Sequence, residues 1–202
     1  MARIDRITKL STAIEQRDKE SQHALDQLDQ FRKLFYRAIE EVFSAVAFKG
    51  VKSLEEPKRV KTDDGRHTLC FSWGGHQFIC MPCPGVALPP PDEAKLLGEL
   101  SHTPSARLAI FGHAVGSPES AIPVSDHYIF PDGSWCACGP EPSLYSNLEA
   151  KLVSRYALRL LVKLESQFSL VWQTHDEVRL DQIDNTCPCL PRYPVMRVEE
   201  DD

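Results

Sequence analysis

Proline and glycine are missing from the first 48 residues of the chain, and the first glycine is Gly50. These two residue types interrupt most helices, so their absence permits one continuous helix over Met1–Phe48. Apolar residues recur in this segment at spacings of three and four, the pattern of a coiled coil, over about six heptads. At about 1.5 Å per residue this helix is about 70 Å long, longer than the domain that follows it. The core positions of the repeat are Ile4, Ile7, Ser11, Ile14, Asp18, Ser21, Leu25, Leu28, Arg32, Phe35, Ile39, Val42 and Val46.

Long apolar runs are missing as well. No stretch approaches the roughly 20 apolar residues of a membrane-spanning helix. The opening residues, MARIDRITKL, carry charges every few positions and lack the apolar segment of a signal peptide. We therefore expect a cytoplasmic protein that does not enter a membrane.

The chain also has no excess of basic residues and no familiar catalytic motif. Its formal net charge of −6 argues against a nucleic-acid partner, which requires a concentrated basic face. The G-x-S-x-G elbow of serine hydrolases, the H-E-x-x-H pair of zinc proteases and the Walker phosphate loop are all absent from the sequence. Composition and motifs therefore indicate no class of enzyme.

The long helix divides into two parts with different faces. The segment Arg17–His23 is polar at every position and predicts a hinge. Beyond Ala24 the apolar face is wide, which favours packing on a sheet, whereas the narrow seam before it suits a partner helix. We predict that the helix binds a second copy of the chain or another protein. The expected interface residues are Ile4, Ile7, Ile14, Leu25 and Leu28.

The remainder of the chain predicts a polar linker, one domain and a tail. Residues 49–66 form the linker, residues 67–180 an α+β domain, and residues 181–202 an acidic tail that contains cysteine and proline. Alternating apolar residues around Gly74-Gly75 and around Pro131-Asp132-Gly133 predict two hairpins. Pro82 is expected to end the second strand of the first hairpin, because proline cannot donate to a ladder.

Further elements follow from periodicity. Helical spacing returns after Gly139, with Ser143 as the expected N-cap of an amphipathic helix that extends to Leu164. The remaining predictions are a short helix over Asp92–Leu100, a buried strand over Arg107–Val115 and a last strand over Phe168–Thr174. This order of elements favours an α+β fold with a mainly antiparallel sheet of about five to six strands. The C-terminal amphipathic helix packs on that sheet.

Cysteines form the strongest candidate site. Six of the seven lie in close pairs, namely Cys80 with Cys83, Cys136 with Cys138, and Cys187 with Cys189. Zinc prefers four soft ligands in a tetrahedron, and two short pairs on separate loops supply them in many structural sites. Cys80, Cys83, Cys136 and Cys138 are therefore candidate zinc ligands. The alternative is a set of buried, unliganded thiols.

Histidine and acidic residues offer a hydrolase or nuclease alternative. Its candidates are Asp126-His127, the cluster His175-Asp176-Glu177, and His113, which follows a predicted buried strand between two glycines. Pro91–Lys95 resembles the E-x-K element of nucleases, but it lies where a helix is expected to begin. Each of these histidines is also compatible with an ordinary structural position.

A non-catalytic assembly or adaptor protein accounts best for the long helix. The chain would oligomerise through its N-terminal helix and present the α+β domain to a protein partner, as a subunit of a larger complex. The alternatives are a zinc-stabilised binding module and a hydrolase or nuclease that uses His113 and nearby acidic residues. The sequence leaves open whether the partner is a second copy or a different protein.

Overall fold

The computed structural model describes residues 2–48, 55–62, 65–73, 75–87, 103, 105–114 and 122–165, with the backbone alone at positions 2–5, 48, 84, 87, 113, 114 and 122. Helix α1, Ala2–Phe48, comes first, and helix α2, Ala150–Lys163, comes last. Seven strands lie between them: β1 Lys58–Lys61, β2 His67–Trp73, β3 His76–Ala87, β4 Ser105–Ala114, β5 Ile122–Ile129, β6 Trp135–Cys138 and β7 Ser143–Tyr145.

The strands form one sheet in which spatial order equals chain order, from β1 to β7. Every neighbouring pair is antiparallel. The prediction of an α+β fold with a long N-terminal helix, an antiparallel sheet and a C-terminal amphipathic helix is confirmed. The seven strands exceed the predicted five to six.

Both predicted hairpins are present. Gly75 adopts a φ of 81° between β2 and β3, a backbone conformation that side chains disfavour. Between β5 and β6 the carboxylate of Asp132 accepts hydrogen bonds from the Ser134 backbone N–H at 2.9 Å and from its hydroxyl at 2.6 Å. Gly133, with a φ of 82°, completes that turn.

Three element boundaries differ from the sequence-based expectation. The predicted linker contains β1, whose residues pair with β2 although all four are exposed. Pro82 does not end β3, because a register shift between Pro82 and Val86 lets the strand continue to Ala87. Ser143 begins β7 instead of a helix, and Glu149 precedes the first helical residue of α2. In β7 the Tyr145 ring stacks on Trp135 at 4.1 Å, and this contact outweighs the helical spacing of the apolar residues.

Helices α1 and α2 pack together on one face of the sheet. The core between them consists of the second half of α1, the apolar face of α2 and alternate residues of β2 to β6. Aromatic rings dominate this core: Phe31, Phe35, Phe43, Phe71, Phe78, Trp135 and Tyr156. A smaller cluster, composed of Tyr128, Phe130, Cys136 and Cys138, alternates with the core residues and therefore lies on the other face.

Helix α1 runs without a break through the polar segment Arg17–His23, where a hinge was expected. Its 47 residues correspond to a length of about 70 Å. No helix of the described residues has the combination of length and apolar character needed to cross a membrane. The predicted helix over Asp92–Leu100, the strand over Phe168–Thr174 and the tail over residues 181–202 lie outside the described residues.

Candidate functional site

Neither the sheet nor α2 buries the first half of α1 in the described part of the chain. We call the part of α1 that precedes Ala24 the arm, and its side chains are described from Arg6 onward. Every side chain from Arg6 to Lys19 is exposed, and Ala24 is the first buried residue of the helix. At about 1.5 Å per residue the arm extends the helix by about 33 Å.

Three large apolar side chains lie in water along this arm. Ile7, Leu10 and Ile14 are 60%, 62% and 52% exposed. Their spacings of three and four residues place them on one side of the helix, so together they form a short apolar strip. An exposed strip of this kind marks a contact surface more often than isolated apolar residues do.

The strip lies on the same side of α1 as the buried face. One row of residues seven apart joins Ile7 and Ile14 through Ser21 to the buried Leu28 and Phe35. A second row joins Leu10 through Arg17 to the buried Ala24 and Phe31. A residue row of this spacing drifts by only about 20° per heptad on a straight helix. The sheet therefore covers one half of a face whose other half is bare.

The structure separates the predicted interface residues into two groups. Ile7 and Ile14 are exposed on the arm. Leu28 is only 5% exposed and Leu25 is half-buried, and both pack in or against the protein's own core. Ile4 lies in the helix, but its side chain is outside the described set.

Leu10 is the strip residue that the predicted heptad assignment omits. That assignment has Ser11 as a core position, in a row that continues through Asp18 to Leu25 and Arg32. The buried face instead includes Ala24 and Phe31, which share a row with Leu10. The signal in the sequence is that Leu10 lies three residues after Ile7 and four before Ile14, a closer apolar triplet than any that includes Ser11.

The four candidate zinc ligands do not meet around one point. Cys80 on β3 belongs to the core beneath α1, whereas Cys136 and Cys138 on β6 belong to the cluster on the other face. Two strands separate β3 from β6, a distance of about 14 Å at about 4.8 Å per strand. Zinc–sulfur bonds are about 2.3 Å long, so Cys80 cannot share a zinc ion with the β6 pair.

The described cysteines, Cys70, Cys80, Cys83, Cys136 and Cys138, are free thiols. Burial raises the pKa of Cys80 well above its usual value, so this thiol is protonated near neutral pH. Among the described residues, no three histidine, cysteine, aspartate or glutamate side chains are grouped closely enough to hold a metal ion. The pair Cys187 and Cys189 lies outside those residues.

An ion pair is buried on the face of the sheet opposite the helices. Arg107 Nε donates to the Asp126 carboxylate at 2.8 Å, and its Nη2 lies 2.7 Å from the same oxygen. Burial lowers the pKa of Arg107, but Asp126, with Cys83 and Tyr128, outweighs that effect and raises it. Burial raises the pKa of Asp126, although Arg107 opposes the shift. The pair joins β4 to β5 through side chains that are 4% and 12% exposed.

His127 is the one candidate of the hydrolase hypothesis that the described structure surrounds completely. Its Nδ1 lies 3.2 Å from the Leu108 carbonyl oxygen and its Nε2 lies 2.9 Å from the Tyr156 hydroxyl. A neutral ring with its proton on Nδ1 donates to the carbonyl and accepts from the tyrosine. Burial lowers the pKa of His127 to about 4, so the ring is neutral at physiological pH.

The surroundings of His127 are those of a core residue. The rings of Phe31 and Phe35 on α1 lie 5.6 and 5.3 Å from the imidazole. Its side chain is fully buried, and both ring nitrogens have partners within the protein. In this position the imidazole links β4, β5 and α2. The other histidine of that hypothesis, His113, lies on β4, and its side chain is outside the described set.

Comparison with known proteins adds no functional information. No protein-family model matches the chain, and neither the curated proteins nor the solved structures include a significant match. The function must therefore be inferred from the residues and their arrangement.

Proposed function

We propose that the protein is a non-catalytic assembly subunit that oligomerises through the arm of α1 and presents its α+β domain to a protein partner. The observation that carries this proposal is the exposed strip Ile7, Leu10 and Ile14 on a helix whose continuation is buried. The strip has the composition and spacing by which helices recognise other helices.

The energetics of the arm support a partner. Most helical stability in proteins comes from packing of an apolar face, and without such packing a helix depends on weak local interactions. The arm lacks such packing within the described chain. Internal contacts such as the Gln16 amide on the Glu20 carboxylate at 2.8 Å add only about 0.2–0.5 kcal/mol each. A second helix on the strip would supply the apolar packing that the domain does not give the arm.

The buried polar groups support a structural role for the domain. Arg107 pairs with Asp126, and His127 joins the Leu108 carbonyl to Tyr156. These contacts connect strands to one another and to α2. The described cysteines are free thiols, as in a protein kept in a reducing compartment such as the cytoplasm.

Native mass spectrometry of the purified chain tests the proposal. The intact chain is expected to give an oligomer, and a variant that lacks residues 1–22 is expected to give a monomer with an unchanged domain. Ile14→Asp should dissociate the oligomer as well, because it places a charge in an apolar seam. Lys9→Asp is the matched control, since Lys9 is exposed on the arm away from the strip, and this variant should remain oligomeric.

Two results would contradict the proposal: a monomer for the intact chain over the accessible concentration range, or an oligomer that survives removal of the arm. The same spectra, compared with the denatured mass, report bound metal. An added mass of one zinc per chain would support the alternative of a zinc-stabilised module, with ligands drawn in part from residues beyond those described.

A further inference from the structure

We propose that the partner of the arm is the arm of a second copy, and that the two arms pack antiparallel. In this arrangement the two α+β domains lie at opposite ends of the paired helices. The inference rests on the proposed function and specifies its partner and geometry. It follows from the position of the sheet on α1 and from the charges beside the apolar strip.

The position of the sheet excludes a parallel pair of straight helices. A partner helix on the strip would lie about 8–10 Å from α1, on the side that carries Ile7 and Leu10. From Ala24 onward the protein's own sheet covers that side. A parallel partner would continue into the same space, and its own sheet would collide there as well.

An antiparallel partner avoids this collision. When Leu10 lies level with Ile14 of the second copy, the beginning of α1 at Ala2 lies level with Gln22 of that copy. The sheet of the second copy covers its helix only from Ala24 onward. The N-terminus of each helix therefore ends just before the sheet of the other copy, and the two arms overlap over their full length.

The apolar layers of this pair are self-complementary. Leu10 of each copy packs on Ile14 of the other, and this layer occurs twice because of the two-fold symmetry. Ile7 packs on Arg17 of the second copy, whose long aliphatic stem covers the isoleucine while the guanidinium reaches water. The side chains of all four residues are exposed in the single chain.

Charges next to the strip select the same orientation. With Ile7, Ile14 and Ser21 in one core row, Arg6 and Glu20 both occupy the flanking position that precedes it. In an antiparallel pair these flanking positions face each other, so Arg6 of each copy lies beside Glu20 of the other. The antiparallel dimer therefore contains two interchain ion pairs, each between an arginine and a glutamate.

A parallel pair has no such complementarity. Arg6 would face Ser11 of the second copy, and Ala13 would face Asp18. Arg17 would occupy a core layer against Arg17 of the second copy, where two like charges repel. Charge and shape thus favour the same arrangement.

A charge-exchange experiment tests the orientation. Arg6→Glu alone places two glutamates side by side at both flanks, and Glu20→Arg alone places two arginines there. Each variant is expected to dimerise about tenfold more weakly than the unchanged chain, measured by sedimentation velocity in low salt. An equimolar mixture of the two variants is expected to form a heterodimer about as tight as the original homodimer, because both flanks regain opposite charges. Native mass spectrometry reads the composition of that dimer when one variant is isotopically labelled.

Lys9→Glu and Glu15→Arg provide the matched control. They make the same two charge reversals at exposed positions of the arm away from the seam. Their mixture should form homodimers and heterodimers in the statistical ratio. At about 1 M salt the preference of the Arg6→Glu and Glu20→Arg mixture should also fall to that ratio, because exposed charges are screened.

The outcomes separate the two proposals. If the unchanged chain dimerises but the Arg6→Glu and Glu20→Arg variants show no mutual preference, the antiparallel geometry is wrong and assembly through the arm stands. If the unchanged chain is monomeric, pairing with a second copy is overturned together with the proposed oligomerisation.

Discussion

The two halves of α1 differ in whether their apolar face is packed against the rest of the protein. Ile39, in the second half, is 0% exposed, while Ile7 and Ile14, in the first, are 60% and 52% exposed. Both halves are unbroken α-helix with similar apolar spacing. What differs is the cover, because the sheet and α2 lie against the second half alone.

The spacing of apolar residues in the sequence therefore identifies a helix face that will be packed. It does not identify what packs on that face. A stripe at helical spacing is equally compatible with the protein's own sheet and with another chain. The width of the stripe is the distinguishing feature. Buried residues in the second half extend around the helix through Tyr36, Ala38 and Ile39, whereas the arm has a single narrow strip.

A matched pair of substitutions, one in each half of α1, compares the two halves by their effect on the free energy of unfolding. Ile39→Ala is expected to lower the free energy of unfolding by about 2–5 kcal/mol, because it deletes a fully buried side chain and leaves a cavity. Ile14→Ala, the same chemical change in the arm, should alter it by less than about 0.5 kcal/mol. Urea denaturation of dilute protein, with helical circular dichroism as the signal, measures both values.

Protein concentration sharpens the same experiment. When the concentration is raised until the arms pair, Ile14→Ala should weaken association, whereas the fold itself remains intact. Equal losses of stability from both substitutions in dilute protein would mean that the arm is packed within the single chain, contrary to the exposure of its strip.

Much of the fold could be predicted from the sequence. The long helix follows from the absence of proline and glycine, and the two hairpins follow from glycine-containing turns between alternating strands. The boundary of α2 could not be predicted in this way. Leu144 continues the helical spacing of the following residues, but pairing of β7 with β6 and the stacking of Tyr145 on Trp135 place this segment in the sheet. Tertiary contacts override local preference at such positions.

Acid is expected to destabilise the core beneath the docked half of α1, the part of the helix from Ala24 onward. His127 lies beneath Phe31 and Phe35, and burial lowers its pKa from 6.5 to about 4. The unfolded chain therefore binds a proton between these pH values that the folded chain does not, so stability falls as the pH falls through this window. The expected loss from His127 is about 2 kcal/mol at pH 5 relative to neutral pH. Burial also lowers the pKa of His76, which acts in the same direction.

Urea denaturation at a series of pH values measures this slope. His127→Gln should flatten the profile between pH 6.5 and pH 4, the window set by the shift of that residue. His23→Gln, an exposed position of the arm, is the matched control and should retain the slope of the unchanged chain. Asp126, whose pKa is raised by burial, acts in the opposite direction near the acid end. An unaltered slope in His127→Gln would show that this ring does not carry the effect.

The candidate sites were less predictable than the fold, and the cysteines show why. Cys80 and Cys138 each belong to a closely spaced cysteine pair of the kind that binds metals. Whether two such pairs can bind one metal ion depends on strand order and on the face of the sheet to which each cysteine points. Here β4 and β5 separate the pairs, and the alternation along β3 and β6 directs Cys80 and Cys138 to opposite faces. A shift of one residue in either register would reverse that orientation, which local sequence does not specify.

The smallest effect concerns a single hydroxyl that ties α1 to the sheet. The Tyr36 hydroxyl lies 2.9 Å from the Cys80 carbonyl oxygen and 3.0 Å from that of His67, and its residue is fully buried. Tyr36→Phe keeps the ring but leaves these buried acceptors without that donor, so a loss of about 1–2 kcal/mol is expected. Thr12→Val removes a hydroxyl from the arm, where it donates to the Thr8 carbonyl at 3.0 Å, and should change stability by less than about 0.5 kcal/mol.

Hydrogen exchange gives the spatial test: Tyr36→Phe should speed exchange in the docked half of α1 and in β2 and β3, whereas Thr12→Val should affect the arm alone. If Tyr36→Phe instead accelerated exchange equally along the whole of α1, the helix would behave as one cooperative unit, and the division between arm and docked half would not hold.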